Sequence, residues 1–166
     1  MAEPLRLLVV CLGNICRSPM AEGVLRARIA ASPLAGRVEV DSAGTGDWHV
    51  GHAPDPRAVA MAARHHVDIS GQRARQFGVV DAGQHDWLLC ADTTNLRDVR
   101  ARLPHQDRAR AALLLDWCDG SVAGAEVPDP YTGGEPEFEY AWRLLDTAAQ
   151  AAVQRLLQLP VSRWRS

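Results

Sequence analysis

Cys11 and Arg17, separated by five residues near the start of the chain, pair a nucleophile with a planar cation. The segment Leu12-Gly13-Asn14-Ile15-Cys16-Arg17-Ser18-Pro19 follows an apolar run, Leu7 to Val10, and precedes a helical pattern that begins at Met20. A loop that opens a helix presents unpaired backbone N–H groups and the positive end of the helix dipole, which together bind anions of the phosphate type. Gly13 lets the backbone turn close to such a ligand. Arg17 offers a fork to two of its oxygens at once, which a lysine cannot do. The same field favours the thiolate of a cysteine placed inside it, and the thiolate is the form that attacks. Ser18 could donate its hydroxyl to that thiolate, or cap the helix. Asn14 suits a left-handed backbone position, and its amide could hold the loop shut. These residues point to the binding of a phosphate-like dianion and its attack by Cys11.

The elements that must position this loop alternate along the chain. Leu5 to Val10 reads as a strand buried on both faces. A helix with Ala21, Val24, Leu25 and Ile29 on one side follows, with Ser18 at its cap and Pro19 in its first turn. A second short strand is expected at Val38 to Val40, and a helix from Asp55-Pro56 to about Arg64. Trp87 to Ala91 predicts a third strand. Thr93 or Thr94 then caps a helix carrying Leu96, Val99 and Leu103. Ala111 to Leu115 predicts a fourth strand, followed by a loop from Asp116 to Pro136. Phe138, Trp142, Leu145, Ala149, Ala152 and Leu156 trace one apolar stripe on a final helix. This order predicts an α/β fold: a single-domain, doubly wound, four-stranded parallel sheet flanked by helices, with the anion-binding loop after the first strand. In such sheets the ligand lies beyond the carboxyl ends of the strands. Cys11, Asp41 and Asp92 are all expected at that edge.

Composition narrows the classes further. With 166 residues, 47% hydrophobic and 23% charged, the chain has the profile of one ordinary globular domain spanning 1–166. A formal net charge of −2 argues against a nucleic-acid or acidic-membrane binder. No apolar run approaches a membrane span, and no basic region precedes the first apolar segment, so a cytoplasmic location is expected. Cys11, Cys16, Cys90 and Cys118 have neither zinc-ligand spacing nor a secretory context, so neither a structural metal nor a disulfide framework is expected.

The stretch Val10-Cys11-Leu12-Gly13-Asn14-Ile15-Cys16-Arg17-Ser18-Pro19 resembles the signature loop of the low-molecular-weight protein tyrosine phosphatases. Three further segments are similar to that family in order: Ser42-Ala43-Gly44-Thr45-Gly46 with Trp48, Asp92-Thr93-Thr94-Asn95, and Val127-Pro128-Asp129-Pro130-Tyr131. The resemblance implies hydrolysis of phosphotyrosine in proteins through a phosphocysteine intermediate, without metal or other cofactor. Cys11 is then the nucleophile, Arg17 the phosphate-binding cation and Asp129 the general acid and base. Leu12, Gly13, Asn14, Ile15, Cys16 and Ser18 form the cradle, and Leu12, Ile15, Trp48 and Tyr131 the slot for the aryl ring. Implied partners are phosphotyrosine-containing proteins, tyrosine kinases among them, with the enzyme a monomer or weak dimer.

Two related chemistries stand as alternatives. Arginine-phosphate phosphatases resemble this chain but carry Thr where Ile15 stands, and an apolar side chain favours a phenyl ring. Arsenate reductases on the same fold need a nearby pair of extra cysteines, and Cys90 and Cys118 are far apart in the chain. Cys16, beside Cys11, would be placed to capture an oxidised Cys11 as a reversible disulfide. Gln72 stands where many family members have a histidine that buttresses the loop asparagine, so a tuned site is expected. Asp92 is open to two roles, pinning the loop or its arginine, or capping a helix. Cys90 reads as a small core residue.

Overall fold

The computed structural model describes residues 3–120 and 122–166. In chain order its elements are β1 (Leu5–Cys11), α1 (Arg17–Ala30), β2 (Val38–Gly44), α2 (Pro56–Arg64), α3 (Val80–Gln84), β3 (Trp87–Cys90), α4 (Thr93–Ala101), β4 (Ala111–Leu113), α5 (Leu114–Cys118) and α6 (Glu135–Gln158). The strands form one sheet, all parallel, in the order β2-β1-β3-β4. From β1 the chain moves to one edge of the sheet, then crosses back over β1 to β3. That reversal opens a crevice at the carboxyl ends of β1 and β3, where α/β sheets bind ligands.

Side-chain alternation in β1 divides the core. Leu5, Leu7, Val9 and Cys11 join the larger cluster, with buried residues of α1, α2, α5 and α6. Leu8 and Val10 join the smaller one, with Ala82 of α3 and Val99 of α4. Because successive strand residues point to opposite faces, the register that buries Leu7 and Val9 also turns Cys11 toward α1. The apolar stripe of α6 is buried along its length, from Phe138 to Leu156.

Local expectations fail where distant partners intervene. β2 continues to Gly44, so Asp41 lies mid-strand opposite Leu8 and pairs with Arg75 at 3.0 Å. It does not share the carboxyl edge with Cys11 and Asp92. Cys16, not Ser18, is the N-cap of α1, because the Ser18 hydroxyl is engaged with Asn14 and Cys11 instead. Asp92, not Thr93 or Thr94, caps α4, its Oδ1 accepting from Asn95 N at 2.8 Å. The fourth strand stops at Leu113, where the chain turns into α5 to bury Leu114, Trp117 and Cys118. A short apolar run fits a strand or a buried helix equally well, and packing decides between them.

The start of α2 is built as expected. Asp55 Oδ1 accepts from Arg57 N at 2.9 Å, and Pro56 follows it in the first turn. Arg57 also ion-pairs with Asp55 and donates to the carbonyls of Tyr131 and Gly133. Asp55→Ala should lower stability by about 1 kcal/mol, the usual loss for a capping side chain. It would be read as a lower urea midpoint at unchanged slope. The Arg57 hydrogen bonds hold the Asp55 carboxyl below its ordinary pKa. Its contribution is therefore full above the unfolded carboxylate value and fades as the pH falls through the folded one. Asp55→Asn should keep most of the cap and lose that pH dependence.

Candidate active site

Residues 12–16 join the end of β1 to the start of α1, and several carbonyls of this stretch are tied to flanking segments. Thr45 N donates to Cys11 O and Gly46 N to Leu12 O, both at 2.9 Å, and Asp55 N donates to Ile15 O at 2.8 Å. With those carbonyls engaged elsewhere, the loop's N–H groups and the unpaired first turn of α1 are the donors available to an anion. Asn14 takes the left-handed conformation, φ 55°. Its Nδ2 donates to Ser18 Oγ at 2.7 Å and to Ser42 Oγ at 3.0 Å, while its Oδ1 accepts from Arg75 N at 3.0 Å. Cys11 Sγ lies 3.0 Å from Ser18 Oγ. Gly44 underlies the whole turn: a Cβ there would sit 2.7 Å from Leu12 O and 3.0 Å from Asn14 N.

Arg17 is only 3% exposed, and its guanidinium is held from several sides. Nη1 donates to Asp92 Oδ2 at 2.7 Å and to Val127 O at 3.0 Å, and Nη2 lies 3.6 Å from Asp129 Oδ2. Asp92 thus fills both roles left open for it, pinning the arginine with one oxygen and capping α4 with the other. Burial works against the Arg17 charge, but Cys11, Asp92 and Asp129 outweigh it and push the pKa up. The cation is permanent.

The resulting cleft is small, about 100 Å³, and is lined by residues 11–13 and 15–17 with His49, Asp129 and Tyr131. Of its lining residues, Ile15 and Cys16 are buried, while Leu12 and Tyr131 are exposed. Asp129 Oδ1 accepts from Tyr131 N at 3.1 Å, which ties the acid to that residue. Trp48 is exposed, as its loop setting suggests, but its ring lies over Gly46 and does not line the cleft. Its neighbour His49 takes that place, with its ring 6.3 Å from that of Tyr131 and its Cδ2 against Gly13. Sequence reading missed His49, because nothing in a Trp-His pair says which ring faces inward. It also missed the roles of Gly44, Arg75 and the Val127 carbonyl.

Gln72 does not reach Asn14. Its Nε2 donates to Pro19 O at 3.1 Å, and the asparagine is buttressed by Ser18, Ser42 and Arg75. The four cysteines are free and buried. Burial, then the charges of Asp55, Cys11 and Asp129, push the Cys16 thiol up. Burial pushes Cys90 and Cys118 each to about 12.

A buried arginine, a thiol and a carboxylate around a helix N-terminus define a phosphomonoester site. Comparison with known proteins agrees: residues 6–159 match the family model described as low molecular weight phosphotyrosine protein phosphatase. A low molecular weight protein-tyrosine-phosphatase of Streptomyces coelicolor is 42% identical over 146 residues, 87% of this chain and 88% of that protein. The crystal structure of YfkJ from Bacillus subtilis superposes with a TM-score of 0.87 at 32% identity, covering 95% of this chain and 97% of that one. Wzb from Vibrio vulnificus, solved in complex with benzylphosphonate, superposes with a TM-score of 0.80 at 28% identity over 91% of this chain and 98% of that one. The chain belongs to the low molecular weight protein tyrosine phosphatase family. It is a hydrolase of phosphomonoesters, and its family's reaction is the hydrolysis of phosphotyrosine.

The Gly44 contact makes a direct prediction. Gly44→Ala should fold, since Gly44 does not need a positive φ, but it should push residues 12–14 out of place. Phosphate should bind at least about tenfold more weakly, because the cradle's donors act only at hydrogen-bond distance. Competitive inhibition by inorganic phosphate would measure this.

Proposed function

We propose that the chain hydrolyses phosphotyrosine by two in-line steps, with Cys11 as nucleophile, Arg17 and the loop amides as the anion cradle, and Asp129 as proton donor and acceptor. In the first step the Cys11 sulfur forms a bond to phosphorus as the ester P–O bond breaks, and the departing phenolate takes the Asp129 proton. In the second, water attacks the phosphocysteine and gives its proton to Asp129, and the S–P bond breaks to release phosphate and thiolate. Arg17 and the N–H groups of residues 12–18 hold the equatorial oxygens, where charge is greatest in the transition state. The observation that carries this reading is the convergence of Cys11 and Arg17, from the loop after β1, and Asp129, from the distant loop before α6, on one small cleft. Burial and the charges of Asp55, Cys11 and Asp129 favour the protonated form of Cys16, which supports Cys11 over Cys16 as the nucleophile.

Ile15, Leu12, Tyr131 and His49 give the small cleft a largely apolar lining, which suits a flat aryl group better than a guanidinium. Benzylphosphonate, bound by the Vibrio vulnificus relative, has the same aryl-plus-dianion form. The exposed side chains of Leu12 and Tyr131 at the cleft, and of Trp48 and Val50 on either side of His49 in the chain, suit contact with a phosphotyrosine-bearing protein surface, a tyrosine kinase being one such substrate. We place the enzyme in the cytoplasm as a monomer or weak dimer formed from one domain. Among the described residues no helix is long and apolar enough to cross a membrane.

Cys11→Ser should abolish hydrolysis of p-nitrophenyl phosphate, and wild-type rates in that variant would overturn the nucleophile assignment. Asp129→Ala should lower kcat on phosphotyrosine by about 100-fold or more, the usual range for a general acid. The loss should be smaller on p-nitrophenyl phosphate, whose leaving group needs less protonation.

Cys16 lines the same cleft as Cys11. After peroxide converts Cys11 to its sulfenic acid, the Cys16 thiol would condense with it, forming a disulfide and releasing water. Peroxide followed by dithiothreitol should then restore the wild type but leave Cys16→Ala largely inactive. Equal recovery would remove the protective role.

A further inference from the structure

Asp129 lines two hollows, the Cys11 cleft and a larger groove of about 290 Å³ that the hydrolysis itself does not use. The other walls of the groove are Pro128 and Pro130, from the loop before α6, and Pro136, Glu137 and Tyr140, from the start of α6. Pro136 and Tyr140 are four residues apart, so one face of the helix carries both. Phe138, Ala141 and Trp142 are buried in the core, whereas Tyr140 is left 49% exposed. A proline has no N–H to offer, and Pro130 O is already taken by Gly133 N at 2.9 Å. Three proline rings and a phenol ring thus give the groove a surface that is mostly carbon. Glu137 is its one charged side chain besides Asp129, and Glu137 Oε2 accepts from Gly134 N at 3.2 Å.

The loop wall is fixed before anything binds. Just before Pro128, Val127 N donates to Ala91 O at 2.9 Å, and Val127 O accepts from Arg17. Just after Pro130, Arg57 donates to Tyr131 O and Gly133 O, each at 2.9 Å. Proline rings between such ties have little freedom left to lose on contact with a ligand.

We propose that this groove is a docking subsite for an aliphatic side chain of the substrate protein, within a few residues of its phosphotyrosine. The inference rests on the phosphotyrosine reading and deepens it. Continuity of the two hollows through Asp129 carries it. The acid must reach the ester oxygen of the bound phosphotyrosine, so the peptide that bears the ring runs beside Asp129, and the hollow adjoining it there is apolar. A leucine or isoleucine side chain fits that hollow, while a negative side chain would face Asp129 and Glu137. A contact this far from the phosphorus is made alike in the ground state and the transition state, so it acts on KM and leaves kcat nearly unchanged.

Short phosphotyrosine peptides on a serine background, with a single leucine moved from three residues before the tyrosine to three after it, read the groove directly. In at least one position leucine should raise kcat/KM over serine by roughly threefold or more, as expected from partly burying one aliphatic side chain, and glutamate there should fall below serine. Tyr140→Ala should erase that preference through KM. Tyr140→Phe should keep it, because the ring and not the hydroxyl makes the wall. Hydrolysis of p-nitrophenyl phosphate, which has no flanking chain, should stay within about twofold of wild type in both variants. If Tyr140→Ala does not fold, Pro136→Ser decides by the same outcomes. Equal kcat/KM for leucine and serine at every position overturns the proposal. So does a set of leucine preferences that all survive in Tyr140→Ala, or that vanish in Tyr140→Phe. A wild-type dimer that Tyr140→Ala dissociates, with no leucine preference, would give the groove to a second copy and overturn the proposal too. Should no peptide be hydrolysed while p-nitrophenyl phosphate is, the phosphotyrosine reading itself fails. Should all the peptides be hydrolysed alike, only the groove assignment fails.

Discussion

A guanidinium buried to 3% exposure imposes conditions on everything near it. An unpaired charge at that depth would cost several kcal/mol, so acceptors must surround Arg17 before any ligand arrives. They come from the segment after β3, which supplies Asp92, and from the loop before α6, which supplies Val127 O and Asp129. Each partner fixes a piece of the site as it satisfies the charge. Asp92 locks the start of α4 to the loop after β1, and Val127 brings the segment of Asp129 against the arginine. The fork that remains is held rigid for a dianion, which is the preorganisation that electrostatic catalysis needs.

The same loop is held from its other side by β2. Thr45 and Gly46 take its carbonyls, Gly44 yields the space for them, and Ser42 receives the side chain of Asn14. A left-handed asparagine is uncommon away from tight turns, and here three hydrogen bonds to its amide over-determine the conformation. Anion binding therefore costs little further ordering, because the chain has already been ordered by contacts that do not touch the ligand.

Burial also sorts the cysteines into roles. Cys90 and Cys118 sit in the core with their thiols pushed to about 12, and behave there as small apolar side chains. Cys16 shares a cleft with Cys11, yet burial and neighbouring negative charge hold it as a thiol. Cys11 has its sulfur in hydrogen-bond contact with the Ser18 hydroxyl and shares the cleft with Arg17. One cleft thus holds two thiols in different settings.

Much of this was legible in the chain itself. The apolar run into Cys11, the arginine after five residues and the glycine and asparagine between them specify a strand-loop-helix anion site, because strand burial, turn conformation and helix polarity are local properties. The Asp55-Pro56 start of α2 and the stripe of α6 were legible for the same reason. Tertiary structure alone decided which residues meet. Ser18 serves the sulfur and the asparagine instead of the helix cap, Asp41 stays on the sheet edge with Arg75, and His49 lines the cleft that Trp48 leaves. Asp92 reaches Arg17 while still capping α4. Those outcomes depend on sheet order and on the packing of segments far apart in sequence. A hydroxyl or carboxylate takes whichever partner the fold brings within three ångströms, and local pattern carries no record of that distance.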